Sequence, residues 1–421
     1  MSILIHNCTA VLMDEAGTVL PNAYVVVEGT KIRSVSTQRP WGSFEEQIDG
    51  RGNVLMPGFV NAHSHVPMTA MRGYGDGNNL QDWLHNYIFP VEARYGDADF
   101  AEAAWKRFLN RMWANGTLRF SAFATIHKEA AWRLMELTER AGLSALIGKV
   151  NMDRNAPDSL REDTDASLAD TEELICRSRA ELKHVGYILT PRFVPSTTAR
   201  LMDGLGRLGE RYGLPVQSHL SENQAEMAWV RQLHPGCQQY WETYAKYGLW
   251  TSRTVMAHCV WSDARERQAM RDAGVTAVHC ADSNQNICSG VAPVRAMLNE
   301  GVKVALGSDI AGGDHLHMFD VVAASIRASK ARRVLDNWET DFLTVPEGWY
   351  LATSAGAAYF AEQPGFAPGN HLHALVLADD DLPQPHPMTP QERLERAVYL
   401  RQGGAIRAVW SEGRKVFSAE G

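Results

Sequence analysis

Short apolar segments alternate with amphipathic segments through the middle of this 421-residue chain, and this alternation restricts the possible folds more than any other pattern. The apolar segments, such as LSALIGKVNM, TVMAHCV and VKVALGSD, are rich in β-branched residues and end in polar ones. The segments between them, such as EAAWRLMELTERAG, have helical apolar spacing and often end in glycine. Repeated over roughly 300 residues, the pattern is typical of a parallel α/β fold and predicts a closed (β/α)8 barrel of the TIM type.

The two ends of the chain have a different character, with strand-like runs separated by turn signals. ILIHNCTAVLM and NAYVVVEGTKIRSVS lie near the N-terminus, and HALVLADD and AIRAVWSEGRKVFSA lie near the C-terminus. We therefore predict a small β-sandwich formed by residues 1–56 and 366–421, with the barrel between them at 57–365. The segment DDDLPQPHPMTP, which begins at Asp379, is expected to be an exposed loop of unknown role.

Composition excludes several classes of protein. The net charge is -8 with no long run of one sign, which argues against a nucleic-acid partner. The sequence lacks an uncharged apolar run of about 18 residues, so we expect no membrane span, and the N-terminus is too polar for a signal peptide. The six cysteines are scattered without a CxxC pair, which predicts mostly buried, reduced thiols in a cytoplasmic protein.

Polar residues stand at the carboxyl ends of successive strand-like runs. In a barrel those ends converge on one mouth, where the loops build the active site. The set is therefore expected to come together even though it spans roughly 250 residues. Its members are His63, His65, Arg192, His219, His258, His279 and Asp309.

The spacing of some of these residues points to a metal site. His63 and His65 alternate on one strand, so both imidazoles lie on one face and can bind the same ion. Glu222, three residues after His219, can bring a carboxylate beside that ion without being a ligand. Asp309 precedes two glycines that allow close approach of a bound molecule. Imidazole nitrogens with one carboxylate suit zinc, with iron or manganese as substitutes.

The motif series PGFVNAHSH, SHLSE, AHCV and GSD resembles that of the amidohydrolase superfamily, in its mononuclear aminohydrolase branch. The segments IGKVNMDRNAPD, LTPRFVPST and QSHLSENQAEMAWVRQLHPG are similar to the guanine deaminases of that branch. The resemblance implies one divalent metal held by His63, His65, His219 and Asp309. It also implies a small-molecule aminoheterocycle as substrate, most simply guanine, and a homodimer, which is common in this branch.

The resemblance assigns the purine contacts to the TPRF motif, here Arg192 and Phe193, and adds Trp83 in NLQDWLHNYIFPVEARY. A planar guanidinium can meet ring nitrogens and a carbonyl together. Guanine deaminases carry a glutamine three residues after the second metal histidine, whereas this chain has Met68. NAHSHVPMTAMRGYG is more similar to deaminases of S-adenosylhomocysteine and methylthioadenosine. A pterin, an oxidised purine, an aminotriazine or such a nucleoside therefore stays open as the substrate.

The implied mechanism uses three further side-chain roles. Asp309 accepts a proton from the attacking water, and His258 orients that water or polarises the substrate. Glu222 carries a proton to the ring nitrogen and then to the departing amine. Three alternatives stay open: a chlorohydrolase or amide hydrolase with the same ligands, an inactive scaffold, and a binuclear site bridged by a carbamylated Lys149.

Overall fold

A computed structural model describes residues 2–75, 77–78, 80–360, 365–378, 385–400 and 406–419. The strands within those ranges are β1 Ser2–Val11, β2 Val19–Glu28, β3 Lys31–Ser36, β4 Glu46–Asp49, β5 Val54–Pro57, β6 Phe59–His65, β7 Thr117–Phe123, β8 Ser144–Gly148, β9 Val150–Asn151, β10 Val185–Tyr187, β11 Thr190–Pro191, β12 Val216–Leu220, β13 Thr254–His258, β14 Thr276–His279, β15 Lys303–Leu306, β16 Ala374–Leu377, β17 Ile406–Ser411 and β18 Arg414–Ser418.

Helices connect most of the central strands. Their bounds are α1 Leu80–Trp83, α2 Phe89–Glu92, α3 Ala98–Ala114, α4 Lys128–Ala141, α5 Thr164–Glu181, α6 Ala199–Tyr212, α7 Gln224–Leu233, α8 Tyr240–Ala245, α9 Ala264–Ala273, α10 Ala281–Asn286, α11 Val294–Asn299, α12 Met318–Leu335, α13 Val345–Ala352, α14 Ser354–Tyr359 and α15 Pro390–Leu400. Short 3-10 helices cover Val66–Met71, Ala93–Gly96, Asp158–Leu160 and Val194–Ser196, and a π-helical turn covers Leu84–Ile88.

The central strands form the predicted barrel. Strands β6, β7, β8 and β10 pair in parallel, and so do β12, β13, β14 and β15. A bridge between Leu189 and Val216 joins the two groups. The ring closes between β15 and β6, where the Asp309 amide donates to the His63 carbonyl at 3.0 Å. Strand β6 is buried at every position, as expected of a parallel strand covered on both faces.

Strands from both ends of the chain form one mixed sheet. β1 pairs with β2, β4 and β5, and β5 pairs with β16 from the C-terminal segment. Its apolar cluster includes Ile5, Val25 and Trp410, which are at most 2% exposed. The fold is therefore the predicted α/β barrel with a small β-sandwich from both termini.

The helix containing EAAWRLMELTERA ends at Gly142, which has a φ of 74° and closes α4 as predicted. The predicted domain limits, with the barrel at 57–365, remain a prediction. Strand β5 of the terminal sheet extends to Pro57, the first residue assigned to the barrel. The proposed loop from Asp379 falls partly outside the described residues, while α15 begins at Pro390.

The structure also bears on the predictions of buried thiols and of no membrane span. All six cysteines are free, but only Cys8, Cys259 and Cys280 are buried, so burial of the thiols is less general than predicted. Across the described ranges, none of the helices has the length and apolar content needed to cross a bilayer.

Candidate active site

The predicted strand-end residues converge at the carboxyl end of the barrel. His63 and His65 end β6, His219 lies in β12, His258 ends β13, and Asp309 follows β15. One group of possible ligand atoms contains His63, His65 and His219, and a second contains His63, His258 and Asp309. Within each group the ligand atoms lie within 4.8 Å of one another. His279 is buried at the end of β14 but belongs to neither group.

The imidazole nitrogens have an arrangement that fits a cation. Nδ1 of His219 donates to the carbonyl of Arg192 at 2.5 Å, so its Nε2 carries a lone pair. That Nε2 faces Nε2 of His65 at 3.0 Å. Among the described residues, buried Nε2 of His63 has no hydrogen-bond partner, and it lies 3.2 Å from Oδ1 of Asp309. Neutral nitrogens and a carboxylate that face one point fit a divalent metal ion.

The ionisation states favour the same interpretation. Burial lowers the pKa of His63, and it lowers the pKa of His65 and of His219 well below the ordinary value for histidine. These imidazoles are therefore neutral. Burial raises the pKa of Asp309, but His63 and His258 outweigh burial and hold the pKa well below 3.8. The cluster therefore offers neutral imidazoles and an ionised carboxylate, the forms that bind metals.

Two of these residues have unusual backbone angles. His258 has a φ of 73° and Asp309 a φ of 41°, both in the left-handed region. The imidazole of His258 is held by Asn284, whose side-chain oxygen lies 2.9 Å from Nδ1. Nε2 of His258 therefore faces Glu222 at 3.5 Å and Asp309 at 3.8 Å. Strained backbone of this kind recurs where side chains are aimed at a functional site.

Glu222 lies beside the histidine cluster in a dry environment. Oε1 accepts a hydrogen bond from Ser289 at 3.3 Å, and the residue is 4% exposed. Burial raises the pKa of Glu222 to about 7. At neutral pH the carboxyl is therefore divided between its acidic and basic forms, as suits a group that moves a proton in both directions.

A second buried carboxylate, which sequence reasoning missed, fixes the turn that carries Glu222. Oε2 of Glu226 accepts from the backbone amides of Glu222 and Asn223 at 3.2 and 3.3 Å. Oε1 accepts from the hydroxyl of Tyr240 at 2.6 Å. Asn223 and Glu226 form a capping box at the start of α7. The N-x-x-E spacing in SENQAE was the available signal, although it predicts a helix start and not a link to the site.

A cavity of about 480 Å³, counting its open mouth, lies over the cluster. Its lining combines polar and apolar side chains, a pattern suited to a small heterocycle. The predicted substrate contacts Met68, Trp83, Arg192 and Phe193 all line it. The polar lining residues are His65, Arg192, His219, Glu222, His258 and Asp309, and the apolar ones are Met68, Leu80, Trp83, Leu84, Phe193 and Ile287.

The two glycines after Asp309 serve close packing. A side chain at Gly312 would lie 2.4 Å from Oγ of Ser283 and 3.0 Å from Oδ2 of Asp309. The glycine therefore lets its loop pass directly over the carboxylate, and Gly312 itself lines the cavity.

Lys149 is engaged in a separate interaction. Its buried ammonium pairs with Glu162 and lies 3.3 Å from both Oγ of Ser167 and the carbonyl of Val150. A lysine that acts as an ion-pair cation is not the neutral amine that carbamylation needs. The structure therefore provides no support for the binuclear alternative.

The third group of candidate ligands, Asp282, Asp314 and His315, is partly exposed. Nδ1 of His315 lies 2.9 Å from a carboxylate oxygen of each aspartate. The hydrogen bond to Asp282 raises the pKa of His315 to about 9. A protonated histidine between two carboxylates accounts for this group as a pair of salt bridges.

Glu266 supplies a testable pH dependence near the site. Its carboxyl accepts a hydrogen bond from Ser262 at 2.6 Å, and burial raises its pKa to about 7. The folded state therefore binds a proton more tightly than the unfolded state, whose pKa is about 4.3. This contribution is fully present below that value and is lost as the pH rises through about 7.

We expect the stability of Glu266→Gln to improve relative to wild type as the pH rises, because the amide cannot ionise. The difference in the free energy of unfolding should change by up to about 3 kcal/mol between pH 4 and 8. Urea unfolding of both metal-loaded proteins across this range measures it. Parallel stability curves would show that Glu266 has an ordinary pKa.

This chain is similar to known proteins over most of its length. Residues 54–416 match the model of the amidohydrolase family. A guanine deaminase from Dictyostelium discoideum is 35% identical over 382 residues, which are 88% of this chain and 84% of that protein. A guanine deaminase from C. acetobutylicum, solved with guanine bound in its active site, is 38% identical with a TM-score of 0.95 and covers 99% of this chain and 100% of its own.

A more distant solved structure is similar in fold alone. An adenosine deaminase from Xanthomonas campestris, solved with bound zinc, is 23% identical with a TM-score of 0.88. The alignment covers 98% of this chain and 92% of that one.

Proposed function

Because the chain belongs to the amidohydrolase family, a family of metal-dependent hydrolases, we propose that it is a guanine deaminase that releases ammonia and forms xanthine. The observation that carries the proposal is the cluster of imidazole nitrogens and carboxylates beside the cavity. The 38% identity to a guanine deaminase with bound guanine supports this choice of substrate.

The metal is assigned to His63, His65, His219 and Asp309, as the sequence predicts. The two facing Nε2 atoms at 3.0 Å and the unpartnered Nε2 of His63 support this set. Zinc suits three imidazoles and one carboxylate, and iron or manganese are alternatives. A divalent ion held by these residues would lower the pKa of a water molecule from about 15.7 towards 7 and so would supply a nucleophile at neutral pH.

The remaining side chains handle protons and orientation. Ionised Asp309 is placed to accept a proton from the attacking water, and His258, held by Asn284, orients that water. Protonated Glu222 donates to the ring nitrogen beside the attacked carbon. The proton that Asp309 took from the water then passes to the Glu222 carboxylate, which delivers it to the departing amine. The proton of the new hydroxyl group restores protonated Glu222 as the carbonyl forms. The pKa of about 7 allows Glu222 to act in both steps.

The purine is assigned to the cavity, where it contacts Arg192 and the apolar lining residues. The guanidinium recognises the carbonyl edge, since a planar fork of N–H donors matches an oxygen and an adjacent ring nitrogen. Phe193, Trp83 and Met68 supply apolar surface for the faces and the remaining edge of the ring.

Two substitutions of Met68 test whether this side chain contacts the substrate. We expect Met68→Gln to lower the KM for guanine by about tenfold, because the amide adds a hydrogen bond that a thioether cannot make. Met68→Leu keeps the apolar contact and is the matched control, with an expected change below about twofold. Steady-state kinetics with guanine measure both, and equal effects of the two variants would place Met68 away from the purine.

An ammonia-release screen tests the substrate assignment. Zinc-loaded protein is incubated with guanine, an oxidised purine, pterins, aminotriazines, adenosine, S-adenosylhomocysteine and methylthioadenosine. We expect guanine to give the highest kcat/KM. Higher turnover of another amino heterocycle would replace guanine as the substrate, and failure on all of them would contradict the deaminase assignment and favour a chlorohydrolase, an amide hydrolase or an inactive scaffold. Homodimer formation and a cytoplasmic location remain predictions from the sequence.

A further inference from the structure

The guanidinium of Arg192 is backed by a buried carboxylate that the sequence pattern did not single out. Nη1 lies 3.0 and 2.8 Å from the two carboxylate oxygens of Glu92. The side chains of Arg192 and Glu92 are 4% and 1% exposed. Arg192 follows β11, whereas Glu92 ends α2, so two distant parts of the chain meet here. Arginine side chains carry a positive charge, and the Glu92 carboxylate is the counter-ion for Arg192 in this buried position.

The geometry of this pair differs from a fork-to-fork contact. In the usual bidentate pair two guanidinium nitrogens each meet one carboxylate oxygen. Here both contacts to Glu92 come from Nη1, and Arg192 also lines the cavity. Within the part of the chain that the structure describes, the other nitrogens of the fork have no hydrogen-bond partner and are left for a ligand in the cavity.

The same segment also places an aromatic ring against the guanidinium. Its central carbon lies 5.3 Å from the centroid of the Phe89 ring, one helical turn before Glu92 in α2. The ring attracts a cation over its face, which adds a second contact that holds the guanidinium. Leu80, Trp83 and Leu84, slightly earlier in the chain, line the cavity. One segment, residues 80–92, thus supplies apolar lining of the cavity and holds the arginine.

We propose that Glu92 is a positioning residue that sets substrate selectivity. It holds Arg192 so that the free side of the guanidinium meets a ring carbonyl and the adjacent nitrogen of a flat amino-oxo heterocycle. Selectivity for a carbonyl at this position then depends on the orientation of the Arg192 guanidinium as much as on its presence. This inference rests on the proposed function.

The test compares two substrates that share the reacting amino group. Guanine has the carbonyl, and 2-aminopurine lacks it. Glu92→Asp keeps the charge but withdraws the carboxylate, and Glu92→Gln removes the charge. For both variants we expect kcat/KM for guanine to fall by about 10- to 100-fold, chiefly through KM. For 2-aminopurine the change should stay below about threefold, so discrimination between the substrates falls at least about threefold.

Glu162→Asp is the matched control, because it withdraws the carboxylate of another buried ion pair, that with Lys149, outside the cavity. It should lower the Tm and leave discrimination unchanged. If the Glu92 variants lose activity equally on both substrates, Glu92 only stabilises the fold and the inference is wrong. Unchanged discrimination with full activity overturns it as well. Wild-type protein that fails to deaminate guanine contradicts the proposed function itself, and this inference falls with it.

Discussion

Replacement of Glu222 by glutamine is expected to lower the rate of guanine deamination by about 100- to 10,000-fold, the usual contribution of general acid–base catalysis. Glutamine has nearly the same shape and can still accept from Ser289, but it cannot carry a proton at neutral pH. Because Glu222 is not among the assigned metal ligands, metal content should stay at the wild-type value. Steady-state kinetics and elemental analysis of the same preparation measure the two quantities.

Glu173→Gln is the control for this substitution, since Glu173 lies on the exposed surface of α5. Its kcat should equal that of wild type. A Glu222→Gln protein with a near-normal rate would remove Glu222 from the mechanism. A rate loss that follows a loss of metal would instead make Glu222 a ligand or a support of one.

Replacement of His63 by alanine is expected to abolish activity by a different route, the loss of bound metal. Groups outside the ligand shell already change metal affinity or activity about 10- to 100-fold, so removal of a ligand should cost more than about 100-fold in kcat/KM. The bound metal should also fall well below that of wild type. His386→Asn, at an exposed histidine, is the control and should retain both metal and activity.

Metal removal from the wild-type protein complements this variant. A chelator should abolish activity and lower the Tm, because a ligand that binds only the folded state stabilises it. Readdition of zinc, iron or manganese, each alone, then identifies the metal that supports turnover. Full activity after complete metal removal would contradict the assignment of the cluster.

The barrel and the clustering of the metal-site residues could be predicted from the sequence for a simple physical reason. Parallel strands direct their carboxyl ends to one mouth, so polar residues at those ends must meet once the strands are located. His63 and His65 are two residues apart on a strand, and their shared face follows from strand geometry alone.

Other parts of the site depend on packing between distant segments. The contact of Glu92 with Arg192 joins residues 100 positions apart, and no local periodicity indicates it. The left-handed backbone of His258 and its bond to Asn284 arise only when β13 and α10 pack together. These contacts determine where side chains point, which is a finer property than which strand end they occupy.

The most direct test follows the source of the oxygen in the product. Metal-loaded protein is incubated with guanine in water enriched in oxygen-18, and the products are identified by mass spectrometry. The account predicts xanthine with one oxygen-18 atom and one ammonia for each guanine consumed. Unchanged guanine after prolonged incubation with metal-replete protein, or xanthine without the label, would contradict it.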